Sequence, residues 1–329
     1  MGSEPVRSVS SREGPDRILV TGASGFVGRR LVPRLSRDAT VKALGGPDMS
    51  ADSPVVDLLD EVSLTAAVTG FRPRTIVHLA AASSVADAAR TPGVTWDVNL
   101  IGTRNLAHAA RRTGEPVHFI FASTAEVYGR AFLDGPCSEE TTPQPVSAYG
   151  RSKLAAEHLL EDLTGDGFSL TILRLFNHTG AGQDERFVVP AFAAQVAAAE
   201  AGVDDAIRVG NLEARRDFSD VDDIIEAYSA IAAGPTPEEV IRYNVGSGTV
   251  RSIRSILDLL VSQARTPVKA VQDPQRLRAV DIPAAQGDFS RIRSAFGWRA
   301  TTPFESTALS VLEDQRAKLA SSCSARLPK

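Results

Sequence analysis

The chain has 329 residues, of which 43% are hydrophobic, so it is long enough for about two domains and can bury a sizeable core. Its 36 Lys and Arg residues against 40 Asp and Glu give a net charge of −4, which does not favour nucleic acid as a partner. The two cysteines, Cys137 and Cys323, lie far apart without metal-ligand spacing, which predicts reduced thiols, a cytoplasmic location and no metal site.

Residues 1–16 are rich in Ser, Arg, Glu and Pro and contain no apolar core. This composition excludes a secretory signal and predicts a disordered leader over residues 1–16. Nowhere does an uninterrupted apolar run approach the length of a membrane span, so we expect no membrane partner.

A glycine-rich turn follows the first predicted strand. The apolar run from Arg17 to Gly22 predicts this strand, and the spacing of apolar residues from Phe26 to Leu35 predicts a helix. The turn between them carries Gly22, Gly25 and Gly28 at spacings of three. In such a turn the first glycine allows a tight bend, the second lets the backbone approach a pyrophosphate, and the third lets the helix lie close to the strand. The pattern therefore predicts a dinucleotide site.

Strands and helices then alternate along the chain. Strands are predicted at Thr40–Leu44, Thr75–Leu79 and His118–Ala122, with helices around Val62–Thr69 and over Asp97–Arg112. This βαβαβ order predicts an α/β fold with a doubly wound parallel sheet, as in Rossmann domains. The end of the second strand normally carries an acid for NAD or a base for NADP. Here it reads Leu44-Gly45-Gly46-Pro47, so the choice between NAD and NADP stays open.

Polar residues follow the next strands at the positions where ligands bind in parallel sheets. Ser123 to Gly129 comes after the fourth strand, and its hydroxyl groups are candidates for bonding a reacting oxygen, or for capping a turn. A fifth buried strand, Leu170–Leu175, is followed by Asn177 in the same kind of position.

Tyr149 and Lys153 lie four residues apart on a helix predicted to run to about Leu163. A tyrosine and a lysine at this spacing can contact the same small molecule, and the ammonium group favours the ionised phenol, whose ordinary pKa is about 10. The pair is thus a candidate proton donor and acceptor. Alone, the same spacing also occurs on solvated helix faces.

The pattern becomes less regular after residue 176. We predict an NAD(P)-binding Rossmann domain over residues 17–176, to which a late strand near 240–245 returns, and a smaller interleaved substrate-binding domain over residues 177–329. Neither a flexible linker nor an internal repeat separates the two.

Taken together, these motifs resemble the extended short-chain dehydrogenase/reductase family, the NAD-dependent epimerase/dehydratase enzymes that act on nucleotide sugars. The resemblance covers almost the whole chain after the leader and rests on Thr21–Gly28, His78–Ala81, Ser123–Gly129 and Tyr149–Lys153, in the family's order. The second half is similar to enzymes of GDP-linked 6-deoxyhexoses, both GDP-mannose 4,6-dehydratases and GDP-4-keto-6-deoxy-mannose reductases. The segments that are similar to these enzymes are Leu175–Gly180, Arg186–Val189, Val209–Phe218 and Tyr243–Gly248.

One position separates these two groups of enzymes. A dehydratase needs an acid and a base beyond the tyrosine, and in the dehydratases they follow the threonine as Thr-Asp-Glu or Thr-Ser-Glu. Here the string is Thr124-Ala125-Glu126, and alanine transfers no proton, although Glu126 can still act as a base. We therefore expect NAD(P)H-dependent reduction of the 4-keto group of a nucleotide-linked 6-deoxyhexose. The alternatives are a 4,6-dehydratase, a 4-epimerase and a non-catalytic dinucleotide sensor.

The resemblance also implies roles for individual residues. Thr124 bonds the oxygen at carbon 4, Tyr149 protonates it, and Lys153 lowers the pKa of the tyrosine and holds the nicotinamide ribose, with Glu126 as a further catalytic residue. The residues implied to contact NAD or NADP are Gly22, Ser24, Gly25, Phe26, Val27, Gly28, Asp57, Leu58, Leu79, Ala80, Ala81, Asn99, Tyr149 and Lys153. Those implied to contact the substrate are Thr124, Asn177, Val188, Arg216 and Arg278.

Arginine forks suit the pyrophosphate of a sugar nucleotide, and the resemblance implies that the nucleotide is GDP. It also implies a homodimer, formed through a four-helix bundle of the helices at Asp97–Arg112 and Ala148–Leu163. The histidines His78 and His118 lie at strand positions, where a structural role is expected.

Overall fold

The computed structural model describes residues 16–45, 56–204, 206–276 and 282–324. The predicted leader, apart from Asp16, and the predicted substrate residue Arg278 lie outside the described residues.

Twelve strands are formed within these ranges. They are β1 (Arg17–Thr21), β2 (Thr40–Leu44), β3 (Thr75–His78), β4 (Val117–Thr124), β5 (Phe168–Leu175), β6 (Asn177–Thr179), β7 (Ala206–Val209), β8 (Arg215–Asp220), β9 (Ile241–Val245), β10 (Val250–Ser252), β11 (Lys269–Gln272) and β12 (Ala284–Ala285). Among the described residues the α-helices are α1 (Gly28–Leu35), α2 (Glu61–Phe71), α3 (Val85–Arg90), α4 (Pro92–Trp96), α5 (Thr103–Arg111), α6 (Ala148–Glu161), α7 (Val188–Glu200), α8 (Val221–Ala233), α9 (Ile253–Ser262), α10 (Ser290–Phe296) and α11 (Phe304–Ser324).

The central sheet is parallel throughout and has the strand order β2-β1-β3-β4-β5-β9. Every residue of β3 and β4 is buried, as expected for strands covered on both faces, whose sequences read as nearly continuous apolar runs. The sheet confirms the predicted doubly wound α/β fold.

Helices cover both faces of this sheet. On one face, Leu31 of α1 and Ile224 of α8 join a core with the apolar side chains of β1, β3 and β5. On the other face, Leu64 of α2, Leu106 of α5 and Leu160 of α6 form a second core. Each helix buries its apolar stripe against a face of the sheet. Because the helices cover the faces and not the edge, the carboxyl ends of the strands stay open to a ligand.

The helix predicted over Asp97–Arg112 has two parts. It begins as a π-helix, Asp97–Gly102, and continues as α5. At this wider turn Gly102 lies so close to Leu58 that a Cβ atom would stand 2.9 Å from the Leu58 Cβ. Such wide turns frequently occur at functional sites, and this one contains the buried Asn99.

A third core lies in the second half of the chain. Strand β8 lies between β10 and β12 and also pairs with β6, while β7 pairs with β11. Helices α7, α9 and α11 pack around apolar residues that include Phe192, Ile256 and Val311. Within the described ranges no helix has the length and apolar character that crossing a bilayer requires. The same ranges contain no group of three or more His, Cys, Asp or Glu residues suited to a metal ion.

Candidate active site

A cavity of about 940 Å³ opens at the carboxyl ends of the central strands. Its wall includes Thr21, Leu44, Thr124 and Leu175, which are the last residues of β1, β2, β4 and β5. Ligands of doubly wound sheets bind at this edge, and the volume is near the upper end of the usual range of about 300–1,000 Å³. The cavity can therefore hold a large ligand or two ligands side by side.

The glycine-rich turn lies in the wall of this cavity. Gly22 has a φ of +67°, and a Cβ atom there would lie 2.7 Å from the backbone nitrogen of Ala80. A Cβ atom on Gly28 would lie 2.2 Å from the carbonyl oxygen of Gly22. The helix α1 starts without a side-chain cap, and its positive dipole end begins in the turn, while the N–H groups of Arg29 and Arg30 donate to the carbonyl oxygens of Gly25 and Val27. The crowding of the turn and the uncapped helix fit a bound pyrophosphate.

The predicted cofactor residues converge on the same cavity, with one exception. Every predicted cofactor residue except Asn99 lines the cavity. The neighbouring residues Leu44, Gly45 and Val56 line it as well. Asp57 has a second role in the turn, because its Oδ1 accepts a hydrogen bond of 2.9 Å from the backbone N–H of Leu59.

Asn99 lies apart from the other predicted cofactor residues. It is fully buried behind the cavity wall and is not part of the lining. Its side chain bonds the backbone N–H of Ala82 at 2.8 Å, the Ala82 carbonyl at 3.2 Å and the Ser152 hydroxyl at 2.9 Å. These three bonds use the donors and acceptor of the amide, so Asn99 holds the loop after β3 in place.

Tyr149 and Thr124 meet at the centre of the cavity. Helix α6 starts at the N-cap Ser147, whose hydroxyl accepts a hydrogen bond of 3.0 Å from the N–H of Gly150. A Cβ atom on Gly150 would lie 2.6 Å from the carbonyl oxygen of Glu126. Because glycine occupies this position, the first turn of α6 can lie against the turn after β4. The phenol of Tyr149 is hydrogen-bonded to the Thr124 side chain.

Burial raises the pKa of Tyr149 to about 12, and the carboxylate of Glu126 adds to this shift, while the bond with Thr124 opposes it. The phenol is therefore protonated throughout the neutral range.

The side chain of Lys153, which was expected to act on this phenol, contacts strand β4. Its Nζ donates a hydrogen bond of 2.7 Å to the carbonyl oxygen of Ala122 in β4 and lies 4.5 Å from the centre of the Phe121 ring. Burial lowers the pKa of Lys153 to about 7, and the carboxylate of Glu157 opposes this shift. Lys153 is not among the groups that shift the pKa of Tyr149 in this arrangement, so the expectation that it lowers this pKa stays a prediction for the protein with its ligands bound.

A buried ion pair lies beneath these residues. Glu157, one helical turn beyond Lys153, accepts a hydrogen bond of 2.7 Å from Nη2 of Arg174 in β5. The carboxylate also accepts a bond from the hydroxyl of Ser123, which precedes Thr124. The side chains of the pair are 0% and 4% exposed. The pair connects α6 with β4 and β5 at the level of the reacting centre.

The other predicted substrate residues that the structure describes belong to the same cavity. Asn177, Val188 and Arg216 all line it. Nη1 of Arg216 donates to the carbonyl oxygens of Arg215 and Ile282, at 2.8 and 2.7 Å, and these bonds hold the guanidinium group against β8.

Several lining residues were not predicted from the sequence. They include Ser84, Gln183, Arg186 and Tyr228. Arg186 forms an ion pair of 2.8 Å with Asp87, which joins the start of α7 to α3 across the cavity wall. Arg186 lies in one of the family-like strings, which was an available signal. Tyr228 lies in an apolar helical stripe, where a tyrosine gives no sign of lining a cavity.

The histidines at strand positions have the expected structural role. Nδ1 of His78 lies 2.7 Å from the Thr21 hydroxyl, and Nε2 lies 2.9 Å from the hydroxyl of Thr103. Burial lowers the pKa of His78 to about 3, so the ring is neutral. Nε2 of His118 lies 2.8 Å from the hydroxyl of Thr171.

Comparison with known proteins agrees with this geometry. Residues 19–310 match the protein family described as GDP-mannose 4,6 dehydratase. The chain belongs to this family. The predicted relationship to the extended short-chain dehydrogenase/reductase enzymes of nucleotide sugars is thereby confirmed.

Members of the family with high similarity include reductases and dehydrogenases. GDP-6-deoxy-D-mannose reductase of Pseudomonas aeruginosa is 34% identical over 309 residues, which cover 92% of this chain and 98% of the reductase. GDP-6-deoxy-D-talose 4-dehydrogenase of Aggregatibacter actinomycetemcomitans is 30% identical over a region that covers 85% of this chain and 91% of the dehydrogenase. The solved structure of RMD from Pseudomonas aeruginosa complexed with NADPH has a TM-score of 0.81 at 33% identity, covering 92% of this chain and 99% of its own.

The contacts of Gly28 generate a prediction about the turn. The change Gly28→Ala puts a methyl group against the Gly22 carbonyl oxygen, so the turn must open. We expect a loss of about 1–3 kcal/mol in the free energy of unfolding and a dissociation constant for NADPH at least about tenfold higher. Urea denaturation and fluorescence titration with NADPH measure the two effects.

Gly70 provides the matched control for this prediction. It lies inside α2, and a Cβ atom there meets no atom within 4 Å. Gly70→Ala should stabilise the protein by about 0.5–1 kcal/mol and leave NADPH binding unchanged. If the two variants had the same dissociation constant for NADPH and the same free energy of unfolding, the close approach at Gly28 would be unimportant for the turn and for cofactor binding.

Proposed function

We propose that the protein is an NAD(P)H-dependent reductase of the 4-keto group of a nucleotide-linked 6-deoxyhexose, with GDP as the nucleotide, as in the conversion of GDP-4-keto-6-deoxy-mannose to GDP-rhamnose. Support comes from the similar reductase and from the side chains at the reacting centre. One observation carries the choice of reaction. Ala125 lines the cavity between Thr124 and Glu126, at the position where a dehydratase needs a proton-transferring group.

The reduction requires a hydride and a proton at one carbonyl group. A bound nicotinamide cofactor supplies the hydride. In this proposal Thr124 donates a hydrogen bond to the oxygen at carbon 4, and Tyr149 gives that oxygen its proton. A phenol whose pKa is raised to about 12 by burial holds its proton at neutral pH, as a donor must.

The remaining lining residues divide between the two ligands. The glycine turn, Asp57 and the loop after β3 would hold the dinucleotide, and Lys153 would hold its ribose. Asn177, Val188 and Arg216 would bind the sugar nucleotide, where the guanidinium group of Arg216 suits a pyrophosphate. Arg278, which is outside the described residues, is proposed for the same ligand. This division assigns the cofactor to a Rossmann domain of residues 17–176 with β9, and the substrate to the interleaved part over residues 177–329.

A 4,6-dehydratase is the second candidate function. The family description names that activity, and Glu126 lines the cavity next to Tyr149, where it could act as the base. Dehydration also needs an acid for the leaving hydroxyl group, and Ala125 cannot supply it.

The consumption of cofactor distinguishes these functions. A reductase uses one NAD(P)H for each sugar reduced, whereas a dehydratase and an epimerase return the hydride to the sugar. We expect the purified protein to oxidise NADH or NADPH in stoichiometric amounts with GDP-4-keto-6-deoxy-mannose, and to leave GDP-mannose unchanged. Absorbance at 340 nm and chromatography of the sugar nucleotides follow both reactions. Conversion of GDP-mannose without loss of NAD(P)H would replace the reductase by the dehydratase.

The raised pKa of Tyr149 predicts opposite pH profiles for the two directions. Reduction needs the protonated phenol and the reverse oxidation the ionised one, whose fraction rises about tenfold per pH unit below the pKa. We expect the rate of the reverse oxidation to rise at least up to pH 9. Ionisation of Tyr149 should not lower the rate of reduction between pH 6 and 9, because the phenol keeps its proton over this range. In Tyr149→Phe both rates should fall about 10²–10⁴-fold with the affinity for NADPH retained. Steady-state rates across pH test this, and a reverse rate that levels off below pH 8 would contradict it.

We also infer a cytoplasmic homodimer. The π-helix at Asp97–Gly102, α5 and α6 would form the four-helix bundle, and half-buried apolar residues on them, such as Ile101 and Ala155, favour close packing. Light scattering should give twice the mass of one chain. Ala155 is half-buried on α6, and in Ala155→Glu a charged group placed in the apolar packing surface should lower the dimer fraction. A monomeric mass for the unaltered protein would refute the dimer.

A further inference from the structure

Tyr228 is a buried tyrosine at the cavity that has no part in the chemistry proposed above. It lies on α8, its side chain is 0% exposed, and it belongs to the lining. Among the described residues its hydroxyl has no hydrogen-bond partner. Buried hydroxyl groups are nearly always bonded, because an unpaired one loses its bonds to water without compensation.

A second buried tyrosine shows the usual arrangement in the same protein. Tyr128 is also 0% exposed, and its hydroxyl donates a hydrogen bond of 2.7 Å to Oδ1 of Asn244. It also accepts a bond of 3.2 Å from Nη1 of Arg174. Tyr128 does not line the cavity. The unpaired tyrosine is thus the one that faces the ligand space, which suggests that a ligand supplies its partner.

The position of α8 indicates which ligand this is. Helix α8 packs along α1, which begins in the glycine-rich turn. Val221 at the start of α8 and Phe26 in that turn both lie against Gly180. The substrate residues Val188 and Arg216 are carried by α7 and β8 instead. Helix α8 also contacts β6 and β8, but its most extensive contact is with α1, so we assign Tyr228 to the side of the cavity that the dinucleotide would occupy.

Tyr228 also lies close to the reacting centre. Burial raises the pKa of its phenol far above the ordinary value, and the nearby Tyr149 adds to the shift. Such a phenol keeps its proton over the working pH range, so its O–H is always available as a hydrogen-bond donor. The end of a dinucleotide that must lie beside Tyr149 is the nicotinamide, and the acceptor that this end carries is the oxygen of its carboxamide.

We propose that the Tyr228 hydroxyl donates a hydrogen bond to the nicotinamide carboxamide of bound NAD(P)H and so positions the ring that transfers the hydride. The proposal rests on the proposed function only in requiring a nicotinamide cofactor. It does not depend on which sugar is reduced. Tyr228 is a positioning residue for the cofactor.

The variant Tyr228→Phe tests the proposal. Because no residue in the described ranges bonds this hydroxyl, its removal should leave the thermal midpoint unchanged or raise it. Loss of one neutral hydrogen bond to the cofactor should raise the dissociation constant for NADPH or NADH about 3–10-fold. Thermal unfolding of cofactor-free protein and fluorescence titration with each dinucleotide give both quantities. The dissociation constant for GDP should not change.

Tyr128→Phe is the matched control, since it removes a buried hydroxyl that has partners. It should lower the thermal midpoint and leave the dissociation constant for NADPH unchanged. For Tyr228→Phe, a dissociation constant within twofold of the original overturns the proposal, as does weaker binding of GDP instead of the dinucleotide. A fall of the midpoint like that of Tyr128→Phe overturns it as well, because the hydroxyl would then have a partner without the cofactor. If the dinucleotides bind as expected but no keto-sugar is reduced, the proposed function fails while this inference stands.

Discussion

The buried ion pair between Glu157 and Arg174 is the interaction on which the reacting centre depends. It joins α6, which carries Tyr149 and Lys153, to β5, and through Ser123 it reaches the end of β4 and Thr124. Removing one member of such a pair leaves an uncompensated buried charge, at a cost of about 3–5 kcal/mol. The ends of β4 and β5 and the first half of α6 therefore keep one arrangement, which a proton transfer between fixed side chains requires.

The same network continues to the edge of the sheet. Arg174 bonds the hydroxyl of Tyr128, which donates to Asn244 in β9, and the backbone N–H of Asn244 donates a bond of 2.8 Å to Glu139. Strand β9 is reached only after the excursion through β6, β7 and β8, so side chains rather than a short connection fix its place beside β5. The polar groups involved are buried and paired, and such networks specify a single arrangement of their strands.

Sequence patterns predicted the features that are set locally. The glycine turn, the alternation of strands and helices, and the Tyr149 and Lys153 spacing each lie within a short stretch, and the structure brings them to one cavity. Contacts between distant stretches could not be read in this way. Asn99 was predicted to touch the cofactor, but its partners are Ala82 and Ser152. Lys153 was paired with Tyr149 along the helix, whereas the carbonyl of Ala122 from β4 binds it. Periodicity places a side chain on a face but does not give its partner.

The crowded glycine turn also limits how this enzyme can diverge. A methyl group at Gly28 would stand 2.2 Å from the carbonyl oxygen of Gly22, and Gly22 itself lies against Ala80 with a positive φ. These positions admit no other residue without moving the backbone, so neutral drift is blocked there. A change of preference between NAD and NADP would then arise at the neighbouring lining positions Gly45 and Asp57, beside the end of β2. Selection for a new cofactor would act on that strand end and leave the turn unaltered.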